Sequence, residues 1–496
     1  MTNKKQKLEL TWIGKDDELK LEPRILIEDP DKSYGDPKAE NMLIHGDNLL
    51  ALKALEQDFA GRIKCIYIDP PFNTGSAFEH YDDSLEHSIW LSLMRSRLSL
   101  LSKLLADDGA IFVHIDYNEE AYLRILMDEI FGRNNFRNTI IVSRIKKNVR
   151  EREKINALNF AHDVILLYAK SPACTFLPPL KAVKKEARWH SFEAPGIRRG
   201  MDYDLFGVKP KDGNHWRWSK ERADIAIINK KLRPHPKTGK PEYLVEASEF
   251  EVMDTNWLDL MASSHNWDFP NGEKNEKLIQ RILVMITNEG DWVIDSFLGS
   301  GTTAAVTHKL KRKWIGVELG EHANTHCIPR LKLVVDGADQ GGISKAVDWQ
   351  GGGGFKFYNL APSLLRKDGF GNFIIDEKYN ANMLAAAMCK HESFKYYPDE
   401  TLYWKQGKST EKDFIFITTG FMTVEQLEAI HGEMKADESL LICTKSFAPE
   451  CENHFANITI KKIPQMILGR CEFGKDNYDL NIIEATKAEV EESNEE

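Results

Sequence analysis

The sequence lacks several features that mark whole classes of protein. No apolar run approaches the roughly 18 residues that a membrane span needs, and the polar start MTNKKQKLELTWIGKDDELK has no apolar stretch typical of a secretory signal. The seven cysteines are scattered with no pair at CxxC spacing, which disfavours a disulfide framework or a zinc site. The motor motif GxxxxGK[ST] is absent as well. We therefore expect a cytoplasmic protein of about three structural units that neither enters a membrane nor drives a nucleotide-powered motor.

Positive charge is concentrated in the middle of the chain. The net charge is −10, yet residues 144–240 contain 23 Lys and Arg against 10 Asp and Glu. A basic segment inside an acidic protein is expected where one region contacts phosphates, and a solvated basic face is the alternative. Charge alone leaves a nucleic-acid partner and a solvated basic face equally open.

Apolar strands alternate with helices on both sides of this segment, which predicts an open, largely parallel α/β sheet. Trp90, Met94, Leu98, Leu101 and Leu105 recur at helical spacing, and a second α/β unit is expected near the end. The predicted divisions are an N-terminal arm (1–40), one half of the sheet (41–170), an inserted recognition region (171–264), the other half (265–340), a Gly-rich linker (341–360), a small C-terminal α/β domain (361–484) and an acidic tail (485–496).

The first chemical motif is DSFLGSGTT, which follows a predicted strand and opens a predicted helix at Asp295. Its two glycines allow a sharp turn and a close ligand approach, and Glu318 at the end of the next strand can bind ribose hydroxyls. This layout is typical of a site for an adenosine-containing cofactor, although a structural turn is the alternative. The three-glycine dinucleotide pattern is absent, which disfavours NAD. The candidate cofactor residues here are Asp295, Phe297, Gly299, Gly301, Thr302 and Glu318.

The second motif, Asp69-Pro70-Pro71-Phe72, also follows a predicted strand. Two prolines stiffen the chain and would fix the Asp69 carboxylate, a proline carbonyl and the Phe72 ring relative to one another. Such a group can bind an exocyclic amine, because it offers two hydrogen-bond acceptors for the amine and an aromatic face for the attached ring. Taken alone, the motif is better explained as a tight turn that caps a strand.

Together, the two motifs and the basic insertion resemble the amino-methylating DNA methyltransferases of the β arrangement, in which the base-binding motif precedes the motif for S-adenosylmethionine (SAM). Over roughly 40–360 the chain resembles the modification subunits of type III restriction–modification systems. The stretches that carry this resemblance are LIHGDNLLALKAL (43–55), YIDPPFNTGS (67–76), LLADDGAIFVHID (104–116), HDVILLYAK (162–170), DSFLGSGTTAAV (295–306) and GGGGFKFY (351–358).

The resemblance implies a Rossmann-like SAM-dependent methyltransferase sheet with circularly permuted motif order, acting as a site-specific, adenine-specific DNA methyltransferase. It implies that Asp47 lies near the cofactor's adenine, that Phe297, Gly299 and Gly301 surround its methionine and ribose, and that Glu318 holds the ribose. Asp69 and the Pro70 carbonyl would bind the amino group of a flipped adenine, with Phe72 stacking on it. Two positions depart from the family: Phe72 replaces the commoner Tyr, and Lys274-Asn275 replaces Lys-Pro.

The resemblance also implies double-stranded DNA as substrate, a homodimer, and a separate restriction/helicase subunit as partner. No metal is needed for methyl transfer, so His114 and His162 are expected to pack near strand ends. The candidate DNA-binding residues are Lys184, Lys185, Arg188, Arg198, Arg199, Arg217, Trp218 and Arg233. The alternatives left open are a solitary or other phage-defence methyltransferase, a DNA-recognition scaffold with weak methylation, and a methyltransferase of structured RNA.

Overall fold

The computed structural model describes residues 9–17, 19–71, 83–144, 161–264 and 272–478, without the side chains of 83–86. The elements before the inserted region are β1 (Leu26–Gly35), β2 (Met42–His45), α1 (Asn48–Phe59), β3 (Ile63–Ile68), α2 (Asp83–Leu104), β4 (Leu105–Ile115), α3 (Glu120–Met127), a π-helical turn (Asp128–Gly132), a 3-10 turn (Arg133–Asn135), β5 (Phe136–Ser143) and β6 (His162–Ala169). The inserted region contains β7 (Leu180–Lys185), β8 (Arg188–Ser191), β9 (Glu193–Pro195), β10 (Asn214–Trp216), α4 (Lys220–Ile228), β11 (Leu232–Pro234), β12 (Pro241–Val245) and β13 (Ser248–Val252).

The chain continues with β14 (Asn256–Met261), β15 (Ser263–Ser264), β16 (Glu273–Lys274), α5 (Glu276–Ile286), β17 (Trp292–Asp295), α6 (Thr302–Lys309), β18 (Lys313–Glu318), a π-helical turn (Ala323–Cys327), α7 (Ile328–Val335) and β19 (Gly354–Leu360). The last elements are β20 (Leu365–Lys367), β21 (Phe373–Ile375), α8 (Ala381–His391), β22 (Lys395–Tyr396), β23 (Gly407–Lys408), β24 (Asp413–Met422), α9 (Val424–Glu433), β25 (Ser439–Phe447), a 3-10 turn (Pro449–Cys451) and β26 (Ile458–Lys462).

Ten strands form one mixed sheet in the order β1-β19-β2-β18-β17-β3-β4-β6-β5-β14. The five strands β2, β18, β17, β3 and β4 are parallel to one another, and β6 runs antiparallel to both of its neighbours. The helices α1 and α3 each pack against α2, and α5 and α7 each pack against α6. The predicted α/β fold is confirmed. Strand order reverses between β17 and β3, and in open α/β sheets such a switch point is where ligands bind.

Two predicted segments differ from the structure. In the expected N-terminal arm, β1 forms an edge strand of the large sheet, antiparallel to β19. Its Asp29-Pro30-Asp31 turn signal marks a register shift within this pairing rather than a free loop, since Pro30 cannot donate a ladder hydrogen bond. Residues 354–360 of the expected linker are a sheet strand, which the chain enters through Gly351, Gly352 and Gly353 at positive φ.

The structure divides into two compact units, residues 1–177 with 255–496, and residues 178–254. The second unit is narrower than the predicted recognition region, because β14 joins the large sheet beside β5. The C-terminal region has its own five-stranded sheet, β22-β23-β24-β25-β26, and contains the predicted βαβ unit as β24, α9 and β25. It nevertheless clusters with the large sheet in the first unit. Its Lys390, for example, donates a hydrogen bond to the Ala54 carbonyl (2.7 Å). The acidic tail lies outside the described residues.

None of the helices in the described part of the chain is long and apolar enough to span a membrane.

Candidate functional site

Four predicted acidic residues lie at the same edge of the large sheet. Asp47, Glu318, Asp295 and Asp69 end or follow β2, β18, β17 and β3, which are neighbours in this order. Because these strands are parallel, their carboxyl ends meet at one edge. Residues separated by as many as 271 positions in the sequence are thus brought to one site, at the switch point of the sheet.

Asp69 and the two prolines form a rigid strand end. The Trp90 indole N–H donates to the Pro71 carbonyl (2.8 Å), which fixes this carbonyl, whereas no described group donates to the Pro70 carbonyl. The Asp69 Oδ1 atom is buried and accepts no hydrogen bond from a described residue. The motif therefore presents two acceptors: Asp69 Oδ1, which also has a cationic neighbour, and the Pro70 carbonyl. Phe72 lies outside the described residues.

Lys274 is a neighbour of Asp69 that the sequence analysis did not assign to this motif. Its Nζ lies 3.0 Å from Asp69 Oδ1, in an ion pair whose partners are 18% and 26% exposed. The next residue, Asn275, caps α5 by accepting a hydrogen bond from the Lys277 N–H (3.0 Å). The asparagine that replaces the family's usual proline therefore caps α5. In the sequence, only the presence of a lysine at position 274 hints at its ion pair with Asp69.

Asp295 anchors the turn that follows β17. Its Oδ1 accepts the Phe297 N–H (3.0 Å) and its Oδ2 accepts the Thr303 hydroxyl (2.6 Å). Burial raises the pKa of Asp295 to about 7, with further contributions from the negative charges of Asp69 and Glu318, whereas the two hydrogen bonds lower it. Three carboxylates at one edge repel each other, so a cationic ligand would be stabilised here.

Glu318 joins this turn to the next strand. Its two oxygens accept the Gly299 N–H (2.7 Å) and the Gly320 N–H (2.9 Å), and burial raises its pKa. Gly299 and Gly301 have φ of 56° and 82°, a region that disfavours side chains. Gly301 is the N-cap of α6 and provides no side-chain cap, which leaves the helix N-terminus open to an acceptor.

The remaining predicted cofactor residues are partly engaged in the fold. Phe297 is half-buried and packs against the main core. The Thr302 hydroxyl accepts a hydrogen bond from Arg330 (2.8 Å) within a buried polar cluster. Asp47 caps α1 by accepting the Leu50 N–H (3.0 Å), and its other oxygen lies 3.6 Å from Arg97 Nη2. Asp47 is therefore already held by structural contacts.

A buried polar network next to Asp69 was missed by the sequence analysis. His114 is fully buried, as expected, with Nδ1 3.1 Å from the Tyr67 hydroxyl and Nε2 3.4 Å from Asp163 Oδ2. Burial lowers the pKa of His114, and the positive charge of Lys274 lowers it further. His162, expected to pack similarly, is exposed at the start of β6. Side chains alternate along a strand, so Tyr67 and Asp69 are expected on the same face of the sheet. This spacing is the sequence signal that could have placed Tyr67 near Asp69.

The predicted DNA-binding residues fall into two groups within the inserted unit. Lys185 forms an ion pair with Glu251, Arg233 pairs with Glu242 (2.7 Å) and Arg217 donates to the Ser191 carbonyl (3.3 Å). Trp218 packs in an aromatic cluster. Lys184, Arg188, Arg198 and Arg199 are exposed, and their side chains form no hydrogen bond or ion pair with a described residue.

Comparison with known proteins gives consistent similarities. The family model described as a DNA methylase matches residues 63–327. A probable type III restriction-modification enzyme HindVI Mod subunit of Haemophilus influenzae is 34% identical, over 66% of this chain and 55% of that protein. The type II methyltransferase M.EcaI of Enterobacter cloacae is 35% identical, over 56% of this chain and 66% of that protein. The chain thus spans about half to two thirds of the length of these curated relatives.

One solved structure, a putative DNA modification methylase of Thermus thermophilus complexed with S-adenosyl-L-methionine, is 13% identical. It matches over 64% of this chain and 97% of that chain, with a TM-score of 0.36.

Proposed function

The chain belongs to the family of DNA methylases, and we propose that it is a site-specific DNA adenine-N6 methyltransferase, the modification subunit of a type III-like restriction–modification system. Under this proposal the substrate is double-stranded DNA. The protein acts as a homodimer and works with a separate restriction/helicase subunit.

S-adenosylmethionine is the cofactor of this family, as the sequence predicted. The edge of the sheet fits it in three respects. Glu318 offers carboxylate oxygens for the ribose hydroxyls, the uncapped α6 offers N–H groups for the methionine carboxylate, and the carboxylate-rich edge favours a cation. When bound, the cofactor supplies a methyl group on a positively charged sulfur.

Asp69 is the proposed catalytic residue. Its Oδ1 and the Pro70 carbonyl would accept the two amino hydrogens of an adenine that has been extruded from the duplex. The amino nitrogen would gain positive charge as the methyl–sulfur bond breaks and the methyl–nitrogen bond forms, so the carboxylate would stabilise the transition state more than the ground state. One amino proton would then leave to Asp69 or to water, which gives the neutral methylated amine. The two fixed prolines would orient the nitrogen for in-line transfer.

The observation that carries the proposal is the buried Asp69 Oδ1, which accepts no described hydrogen bond and directly follows β3, the strand beside β17 and its predicted cofactor turn. Lys274 Nζ pairs with this atom at 3.0 Å, and a carboxylate oxygen can accept more than one hydrogen bond, so Oδ1 can also accept one from a substrate amine. An aspartate at the first position of this motif favours adenine over cytosine, for which a serine is commoner in the family.

The test is methylation of unmodified genomic DNA by purified protein and SAM, read by modification-sensitive long-read sequencing. We expect N6-methyladenine at one short motif, and on one strand only if the type III resemblance extends to recognition. N4-methylcytosine would overturn the base assignment, and methylation of structured RNA alone would overturn the substrate. A restriction/helicase subunit that co-purifies would separate a type III context from a solitary enzyme.

A variant pair tests the role of Asp69. Asp69→Ala should lower the rate at saturating SAM by at least about 100-fold while the Kd for SAM changes by less than about twofold. Asp107→Ala, an exposed aspartate on β4, is the matched control. Loss of SAM binding with a retained rate at saturation would refute the assignment.

A further inference from the structure

An exposed apolar side chain lies beside two arginines in the inserted unit. The loop after β9 places Ile197 at 89% exposure, the highest of any large apolar residue described in this unit. Arg198 and Arg199 follow directly and are exposed too. An isolated exposed isoleucine is ordinary, so the other properties of the loop decide whether this one has a role.

The loop has a fixed base. The Gly196 N–H donates to the Gly213 carbonyl (2.9 Å), and the Met201 carbonyl accepts the Trp216 N–H (2.8 Å). Between these two anchor points, Gly196 and Gly200 have φ of 99° and 78°, which turn the chain at both ends of the tip. Below the loop, Trp216 is buried and stacks on a phenylalanine ring at 5.8 Å. The tip is therefore a short projection on a packed base.

The positive charges of Arg198 and Arg199 at the tip have no partner among the described residues. No ion pair or hydrogen bond joins the Arg198 or Arg199 side chain to the residues that the structure describes. Arg233 in the same unit differs, since it pairs with Glu242 and stacks on Trp189 (3.8 Å). Two uncompensated guanidinium groups beside an apolar tip fit a polyanion with apolar surface between its charges. Duplex DNA has this chemistry, with phosphates along each groove and stacked bases inside it.

We propose that Ile197 is a wedge that enters a base step of duplex DNA from the minor groove, with Arg198 and Arg199 in or beside that groove. Minor-groove proteins combine an aliphatic wedge with arginines in this way, and the wedge unstacks the step and bends the duplex. The inference rests on the proposed function, because it takes duplex DNA as the substrate. The candidate basic residues were expected only to contact the DNA, whereas Ile197 is proposed to deform it. Unstacking also lowers the remaining cost of extruding a nearby base.

The experiment measures DNA untwisting and needs no knowledge of the recognition sequence. Nicked plasmid is resealed by DNA ligase in the presence of the full-length protein without cofactor, and the linking number is measured after the protein is removed. A wedge that unstacks base steps untwists DNA, so we expect wild-type protein at saturation to lower the linking number. Ile197→Ala should lose at least half of this change.

Ile228→Ala is the matched control, because Ile228 is also exposed (79%) but lies on α4 of the same unit, outside the loop. It should retain the wild-type change. Equal linking numbers for Ile197→Ala and wild type, or no change with wild type, would overturn the wedge. An apolar tip that serves a protein partner would give the first of these results.

The arginines give an independent readout. Replacing both Arg198 and Arg199 by Ala should reduce the slope of log Kd against log salt for plasmid DNA by about two, whereas Ile197→Ala should leave the slope unchanged. An unchanged slope in the double variant would remove the arginines from the interface.

The methylation assay separates the two proposals. Methylation with equal untwisting by wild type and Ile197→Ala would refute the wedge alone, and untwisting lost in Ile197→Ala without any methylation would refute the enzyme alone.

Discussion

Lys274 Nζ lies 3.0 Å from Asp69 Oδ1, so the proposed catalytic carboxylate is held by an ammonium group from a segment 205 residues later in the chain. The two groups form an ion pair, but Oδ1 still accepts no hydrogen bond from a described residue. A carboxylate oxygen has two lone pairs, so the lysine can orient the carboxylate while Oδ1 also accepts a hydrogen bond from the amine. Lys274 is accordingly a positioning residue in the proposed reaction.

Lys274→Gln should lower kcat by roughly tenfold, about 1.4 kcal/mol, because Asp69 loses the partner that orients it. It should also raise the pKa of His114, since the lysine charge is one of the two causes that lower it. Steady-state kinetics and NMR titration of the histidines measure these effects. Lys277→Gln, an exposed lysine on α5, is the control. A histidine titration unchanged by Lys274→Gln would contradict the electrostatic contact.

Asp295→Asn should remove a pH dependence of stability. Burial raises the pKa of Asp295 to about 7 in the folded protein, above about 3.9 for a free aspartate. The folded state therefore binds more protons between these values, and this group's contribution to the free energy of unfolding falls as pH rises from about 4 to 7. We expect the variant to gain stability relative to wild type as pH rises over this interval. Thermal unfolding at several pH values measures it, and a constant difference would argue against a buried ionisable Asp295.

Binding of the cationic cofactor should also be linked to Asp295. A positive charge favours the ionised carboxylate, so SAM should release protons near pH 7 and bind more tightly as pH rises from 6 to 8. Calorimetry in buffers of different ionisation enthalpy counts these protons. S-adenosylhomocysteine, which lacks the sulfonium charge, should release fewer. Equal release by both ligands would mean that the sulfonium charge does not couple to this edge.

Glu318→Gln should weaken SAM binding by about 10-fold or more. A glutamine has one acceptor oxygen, whereas Glu318 accepts from both Gly299 and Gly320, so the turn would also lose a hydrogen bond. Glu321→Gln, an exposed neighbour, should bind SAM normally. If the melting temperature falls but the Kd for SAM does not rise, Glu318 supports the turn without contacting the cofactor.

Arg97→Met tests whether the buried ion pair between Arg97 and Asp47 stabilises the fold. Arg97 and Asp47 are each about 1% exposed, and removing one partner of a buried ion pair costs about 3–5 kcal/mol of the free energy of unfolding. In Arg97→Met with Asp47→Asn, the asparagine can still cap α1 without leaving an unpaired charge, so part of the loss should return. Denaturant unfolding measures the cycle, and additive losses would exclude coupling between the two side chains.

Much of the sheet was predictable because its signals are local. Apolar runs followed by DPPF and DSFLGSG identified β3 and β17, and helical spacing around Trp90 identified α2. Parallel strands then bring Asp69, Asp295 and Glu318 together without further information. The predicted site residues were therefore largely those that follow strands.

The contacts missed from the sequence depend on distant segments. Nothing near Pro30 indicates that β1 pairs with β19, and nothing near Lys274 identifies Asp69 as its partner. Asp47 caps α1 and forms an ion pair with Arg97 of α2. Arg97 is buried, whereas an arginine in a helix is ordinarily expected to face solvent. Such pairings follow from tertiary packing rather than from local preference.

The pairing of β7 with β13 has an evolutionary consequence. The two strands are antiparallel and join the first and last parts of the inserted unit, from Val252 opposite Leu180 to Ser248 opposite Lys185. Both ends of the unit are therefore fixed to each other by their own ladder, and its aromatic core lies within it. Recombination that exchanges residues 178–254 as a cassette would keep these ends together. If this unit reads the DNA sequence, as proposed, one such exchange would change the DNA specificity and leave the proposed methyl-transfer edge unaltered.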